Sequence, residues 1–222
     1  MKKVVITVDG PTGTGKSTTA RFLADKLRFN YIDSGFFYRA ITYIALKDKL
    51  KPNEINKLSE IAKKINLEVK ENMVYLNGEE LTETLRSFEI TNKVASISKI
   101  RQLRKIVNEK IKSIEFDSGL VIDGKDMGTV VFTDAAAKFF LICDFDARVA
   151  RRQQEFLDQG HKILKEKISM ELKKRDEIDT KQNEGALRKA QDAFEVDTTN
   201  MIIEEQVDFL YRKILSLNIL NT

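Results

Sequence analysis

The sequence predicts an α/β fold: a three-layer parallel sheet flanked by helices, built around a phosphate-binding loop (P-loop), with an inserted segment carrying a small antiparallel sheet. Three observations carry that prediction. Short, mainly apolar runs at residues 4–8, 120–122 and 138–142 look like strands of a buried parallel sheet. Helical patterns at 17–27, 37–47, 100–114, 146–159, 162–178 and 202–217 lie between and after them, an alternation that builds parallel sheets through right-handed crossovers. The first strand runs directly into G-x-x-x-x-G-K-S, from Gly10 to Ser17, which opens the first helix.

That loop carries the clearest chemistry in the chain. Gly10, Pro11, Thr12, Gly13, Thr14, Gly15, Lys16, Ser17 and Thr18 follow a β-branched strand and precede a helix. Its glycines allow successive N–H groups to turn inward around phosphate oxygens, and the helix N-terminus adds the positive end of its dipole. Lys16 would reach the β and γ phosphates, and the Ser17 hydroxyl would ligate Mg²⁺. The pattern implies a nucleoside triphosphate ligand.

Farther along, Tyr31-Ile32-Asp33-Ser34-Gly35-Phe36-Phe37-Tyr38-Arg39 reads as a strand end, a small-residue turn and a helix. Ser34 as N-cap, backbone donors around Gly35, and Arg39 one turn later would grip a second anion. Residues 40–117 form a longer, mainly helical excursion. Within it Leu67-Glu68-Val69-Lys70 and Met73-Val74-Tyr75-Leu76 alternate apolar and polar residues around a turn at Glu71-Asn72, and Asn77-Gly78 signals another. The second core strand ends in Asp123-Gly124-Lys125-Asp126-Met127-Gly128, where the first aspartate has the place of a Mg²⁺-organising acid. Residues 158–185 are unusually charged, as either a solvated surface or a flap that closes on phosphates.

Composition narrows the classes. The chain has 222 residues, enough for one substantial core with an appendage, and a net charge of only +4, too mild to argue for a nucleic-acid partner. Basic residues are interleaved with acids, and no basic face is studded with aromatics. A single cysteine, Cys143, excludes an internal disulfide; its apolar neighbours make it a packing residue rather than a nucleophile. No apolar run reaches membrane-spanning length, and the first strand follows the start too closely for a signal peptide, so a cytoplasmic protein is expected; nothing in the sequence suggests more than a monomer. Asn92-Lys93-Val94-Ala95 lacks the aspartate of a guanine-reading motif, which disfavours a GTPase. His161 reads as a solvated loop residue, and Arg148, Arg151 and Arg152 as either surface or ATP-lining arginines, with Arg151 kept as a weak candidate for the donor site.

With these elements in place, the chain resembles the bacterial cytidylate kinases over nearly its whole length. The resemblance rests on Asp9-Gly10-Pro11, Asp33-Ser34-Gly35 with Tyr38-Arg39, Leu85-Arg86-Ser87, Leu103-Arg104, the run from Asp123 to Phe132, Arg175-Asp176-Glu177-Ile178-Asp179, and Asp197-Thr198-Thr199. It implies phosphorylation of CMP and dCMP with ATP and Mg²⁺, with no nucleic-acid or membrane partner. It implies a core of residues 1–39, 118–157 and 186–222, a nucleoside-monophosphate-binding insert at 40–117, and a lid at 158–185. Ser34, Tyr38, Arg39, Arg104 and Lys125 would hold the acceptor, Asp126 would read cytosine, and Asp179 would hold ribose. Arg175 would swing onto the transferring phosphoryl group beside Lys16, with Ser17 and Asp123 at the metal. The chain departs from the family at Lys125 and Gln182, where arginines are usual, and at Ala95, where a serine beside the base is usual. Kinases of broader pyrimidine choice or of another small metabolite, a nucleotide-switched nucleic-acid binder, and an inactive binder are the competing readings.

Overall fold

A computed structural model describes residues 4–70, 73–158, 160–181 and 185–220. The chain divides into two compact units: one made of the segments up to Ile32 and from Phe116 onward, the other of Asp33–Glu115.

The first unit is organised by a five-stranded parallel sheet. Its strands are β1 (Val5–Asp9), β2 (Asn30–Asp33), β6 (Leu120–Gly124), β7 (Ala137–Ile142) and β8 (Phe194–Asp197), in the order β2-β6-β1-β7-β8. The central strand β1 pairs in parallel with β6 from Val5 opposite Leu120 to Asp9 opposite Gly124, and on its other edge with β7. Its central position accounts for its composition: Ile6, Thr7 and Val8 are all fully enclosed. Helices α1 (Lys16–Leu27) and α9 (Ile203–Ser216) pack together over the sheet, adding Ala20, Leu23, Ala24, Leu210 and Ile214 to the core of Ile6, Val8, Val121, Phe139 and Leu141. Each large aliphatic side chain so buried contributes about 1.5–3 kcal/mol. Helices α7 (Phe145–Asp158) and α8 (Lys165–Lys181) form a packed pair in the same unit.

The second unit holds α2 (Gly35–Lys47), α3 (Ile55–Lys64), the antiparallel sheet β3 (Leu67–Lys70), β4 (Met73–Leu76) and β5 (Glu79–Glu80), then α4 (Thr82–Arg86), α5 (Phe88–Ser98) and α6 (Arg101–Lys112). Helix α2 packs on α5 and α3 on α6; Leu103, Val107 and Ile111 recur at helical spacing on the buried face of α6. Asn77 and Gly78 both adopt positive φ, 53° and 87°, the backbone that a two-residue hairpin between β4 and β5 needs. The expected turn at Glu71-Asn72 lies outside the described residues.

Two elements differ from expectation. Strand β8 escapes a search for apolar runs because Phe194-Glu195-Val196-Asp197 alternates, and only Val196 is buried on this sheet edge. Helix α8 starts at Lys165 rather than 162: Leu164 accepts from the Lys167 and Ile168 amides, and no capping side chain in the sequence marks that start. Among the described residues no helix is long and apolar enough to cross a membrane.

Candidate active site

The P-loop joins β1 to α1 and is supported from below. Gly10 has φ 155°, and a Cβ there would stand 2.4 Å from the Leu141 carbonyl oxygen, so only glycine lets the loop leave β1 this close to β7. The Thr14 hydroxyl and the Lys16 ammonium both donate to the Pro11 carbonyl, at 3.1 and 3.2 Å, closing the loop on itself. Beneath it, the Thr198 hydroxyl is 3.0 Å from both the Thr14 and Ile142 carbonyls, and buried Thr19 donates to Gln206 of α9 at 2.7 Å. Arg151 adds a web of donors to the carbonyls of Thr14, Thr198, Thr199 and Met201. Its fork thus braces the loop's underside. Cys143, half-buried at the end of β7, receives an Arg151 N–H at 3.4 Å.

Beside the loop, Asp123 on β6 accepts from Ser17 Oγ on one carboxylate oxygen and from Tyr31 Oη on the other, both at 2.7 Å. A hydroxyl and a carboxylate brought together at the foot of a phosphate loop are the hard oxygen donors that Mg²⁺ prefers, and one carboxylate suffices when phosphates complete the shell. No cluster of three or more His, Cys, Asp or Glu side chains suited to a metal occurs among the described residues. The residues present therefore fit Mg²⁺.

After β6 the chain passes through Lys125 and Asp126 into a π-helical turn, Met127–Val131. Buried Asp9 secures this turn, accepting from the Met127 and Gly128 amides at 2.9 and 2.7 Å. Burial pushes the Asp9 carboxyl up to about 6 despite those two donors. Asp126 is 1% exposed, and its backbone carbonyl accepts the Val130 amide at 2.9 Å. Lys125 reaches α8, where its ammonium meets Asp179 Oδ1 at 2.5 Å. Burial, then the nearby Arg175 charge, draws the Lys125 ammonium down to about 7 against the pull of that carboxylate. Asp179 is 1% exposed, and its Oδ2 is buried without a hydrogen-bond partner among the described residues.

In the second unit Ser34 precedes α2 at the N-cap position, but its side chain makes no cap bond; Asp33 Oδ1 accepts the Gly35 amide at 2.8 Å instead. Ser34 and Tyr38 are both buried one turn apart, and the Arg104 guanidinium lies 5.5 Å from the Tyr38 ring centroid. Arg104 also donates to the Ser98 carbonyl, while Arg39 donates to the Leu85 carbonyl and Thr91 Oγ1. Ala95 is half-buried on α5, and neighbouring Ser96 donates to the Lys93 carbonyl in its own helix. Gln182 lies outside the described residues.

The structure thus bonds Ser17 of the loop to Asp123, pairs Lys125 with Asp179, and sets Tyr38 beside Arg104. Sequence reasoning missed the supports: Tyr31, Thr198, Gln206 and the Asp9 link to the π-helical turn. Thr198 stood within the quoted Asp197-Thr198-Thr199 run, but nothing in the sequence indicated that its hydroxyl would reach the loop.

A strand, phosphate loop and helix with a hydroxyl–carboxylate pair at the loop's base define a P-loop nucleotide-binding protein. The family model for cytidylate kinase matches residues 6–216, and the chain belongs to the cytidylate kinase family. A cytidylate kinase of Clostridioides difficile (strain 630) is 39% identical over 214 residues, covering 96% of this chain and 99% of that one. One of Fusobacterium nucleatum is 35% identical, covering 96% of this chain and 98% of that one. An uncharacterized protein from Eubacterium ventriosum shares the fold at TM-score 0.52 and 12% identity, covering 97% of this chain and 99% of that one. Membership makes the chain a nucleotide kinase, an enzyme that phosphorylates a nucleoside monophosphate with ATP.

Proposed function

We propose that the protein is a CMP and dCMP kinase, forming CDP and dCDP by in-line transfer of the ATP γ-phosphoryl group, and that it works as a cytoplasmic monomer. The observation that supports the reading most is the Ser17–Asp123 bond at 2.7 Å, which joins the P-loop to the strand end that leads into Lys125 and Asp126.

Phosphoryl transfer asks little covalent chemistry of a protein; alignment and neutralisation of charge on the equatorial oxygens supply most of the acceleration. Residues Gly10 to Thr18 would cradle the ATP phosphates, all but Pro11 offering a backbone N–H, and Lys16 would leave the Pro11 carbonyl for the β and γ phosphates. Arg151 would act from beneath, keeping the loop in its phosphate-ready shape. Ser17 and Asp123 would hold Mg²⁺, which would supply charge neutralisation at the donor phosphates. Ser34, Tyr38, Arg39 and Arg104 would hold the acceptor phosphate and base, with Lys125 adding a point charge in place of an arginine fork. Asp126 would accept the exocyclic amino group of cytosine, and Asp179 the ribose hydroxyls. Arg175 would neutralise charge on the group in flight.

The assignment of Asp126 is tested by calorimetric titration of CMP and UMP into the protein and its Asp126→Ala variant. CMP affinity should fall by about ten- to a hundredfold in the variant, the worth of one charge-assisted hydrogen bond, with ATP affinity unchanged. Unchanged CMP affinity with weakened ATP binding would place Asp126 at the metal instead.

A further inference from the structure

Asp176 follows Arg175 on α8, and its carboxylate takes both prongs of Arg148: Nη1 donates to Oδ1 at 3.1 Å and Nη2 to Oδ2 at 2.8 Å. The same Nη1 donates to the Thr12 carbonyl of the P-loop at 3.2 Å. One guanidinium therefore touches both the loop that would hold the donor phosphates and the helix that carries Arg175. Arg148 is 7% exposed and Asp176 half-buried, so the pair is less screened by solvent than a fully exposed one. The backbones are close as well: at Gly13, whose φ is 86°, a Cβ would stand 3.2 Å from the Arg148 Cβ. Any change of side chain there would disturb the contact.

The face of α8 points the same way. Ile168 and Leu172 are buried, Asp176 follows at the next i+4 position, and buried Asp179 extends the stripe. The stripe begins apolar and ends ionic, with Asp176 on Arg148 and Asp179 on Lys125. An apolar stripe fixes how deep a helix sits but leaves its rotation and slide loosely defined. A two-pronged ion pair defines both, because the planar fork accepts the carboxylate in one orientation. Arg148 also leaves its Nε buried without a partner among the described residues, which weakens any account of the pair as a device for stability alone.

We infer that Arg148 and Asp176 are positioning residues: their pairing sets the rotation of α8 relative to the P-loop, and so the aim of Arg175 at the transferring phosphoryl group. This rests on the assignment of Arg175 above. Neither residue need touch a nucleotide for the effect; each acts through Arg175.

The test is steady-state kinetics with ATP and CMP on Arg148→Lys, Asp176→Asn, Arg175→Ala and the double variant Asp176→Asn/Arg175→Ala, each checked for folding by thermal unfolding. Lysine keeps the charge at position 148 and removes the fork. Both conservative variants should lose about tenfold or more in kcat, as expected for misaligned reacting groups, with KM for CMP within about twofold. Asp176→Asn should cost nothing further once Arg175 is alanine. An equal loss from Asp176→Asn with and without Arg175 would overturn the inference, marking Asp176 as merely structural. So would normal kcat in both Arg148→Lys and Asp176→Asn while Arg175→Ala is impaired. Full turnover in Arg175→Ala alone would overturn the parent assignment, and the single variant keeps that failure distinct.

Discussion

Asp9 illustrates how far a single carboxyl can be bent by its place in the fold. Its two backbone donors favour the charged form, yet burial outweighs them and holds the group at about 6, against 3.8 in the absence of structure. The sign follows from linkage. Below about pH 4 both folded and unfolded chains carry the proton, and Asp9's contribution is fully present. Between about pH 4 and 6 the unfolded chain ionises first, so stability drains away; above about 6 the loss is complete and flat. Urea unfolding of the protein and its Asp9→Asn variant across this range should show the parent weakening relative to the variant between pH 4 and 6. A constant gap would mean Asp9 does not titrate in that window. Little of this could be read in the sequence, where Asp9 shows only as part of the Asp9-Gly10-Pro11 run; its partners lie on the π-helical turn, more than a hundred residues away. Lys16 and Ser17, by contrast, are legible because their motif is local. The sequence leaves Arg148 as either a surface or an ATP-lining arginine for the opposite reason: its partners, Thr12 and Asp176, lie on separate segments.

At the scale of elements, the P-loop depends on a close approach to its neighbouring strand. A Cβ at Gly10 would stand 2.4 Å from a backbone oxygen, an atom that cannot move without moving β7. Gly10→Ala should therefore lose at least about 2 kcal/mol in chemical denaturation and weaken ATP binding together, as overpacking against backbone does. Wild-type stability and ATP affinity in that variant would contradict the close approach. Helix α8 is the complementary case. Its buried stripe is short, and its outer face is charged, which suits an element that docks for catalysis rather than for stability. Arg175→Ala should accordingly lower turnover by at least about tenfold with little change in unfolding temperature. Near-normal turnover would remove Arg175 from the phosphoryl site. The core strands were legible because residues 4–8, 120–122 and 138–142 are mainly apolar runs, Thr7 and Lys138 aside. Strand β8 was not, because an edge strand with one buried residue has no apolar run to show.

At the scale of the molecule, the sequence conveyed the fold class because each of its signals is local: β-branched runs, a glycine loop, helical periods and the Asn77-Gly78 turn. The sheet order β2-β6-β1-β7-β8 came from the structure, since nothing local tells β1 which strands will flank it. Functional assignment divides in the same way. Phosphate chemistry follows from a motif and the family from a match spanning residues 6–216. The proposed acceptor choice would rest on side chains drawn from distant segments, among them Lys125, a point charge paired with Asp179. The measurement that tests the central claim most directly is ADP formation from ATP and Mg²⁺ with CMP, dCMP, UMP, AMP and GMP offered in parallel. Turnover fastest with CMP or dCMP is the predicted result. Turnover fastest with another acceptor, or none with any of the five despite tight ATP binding, would contradict it.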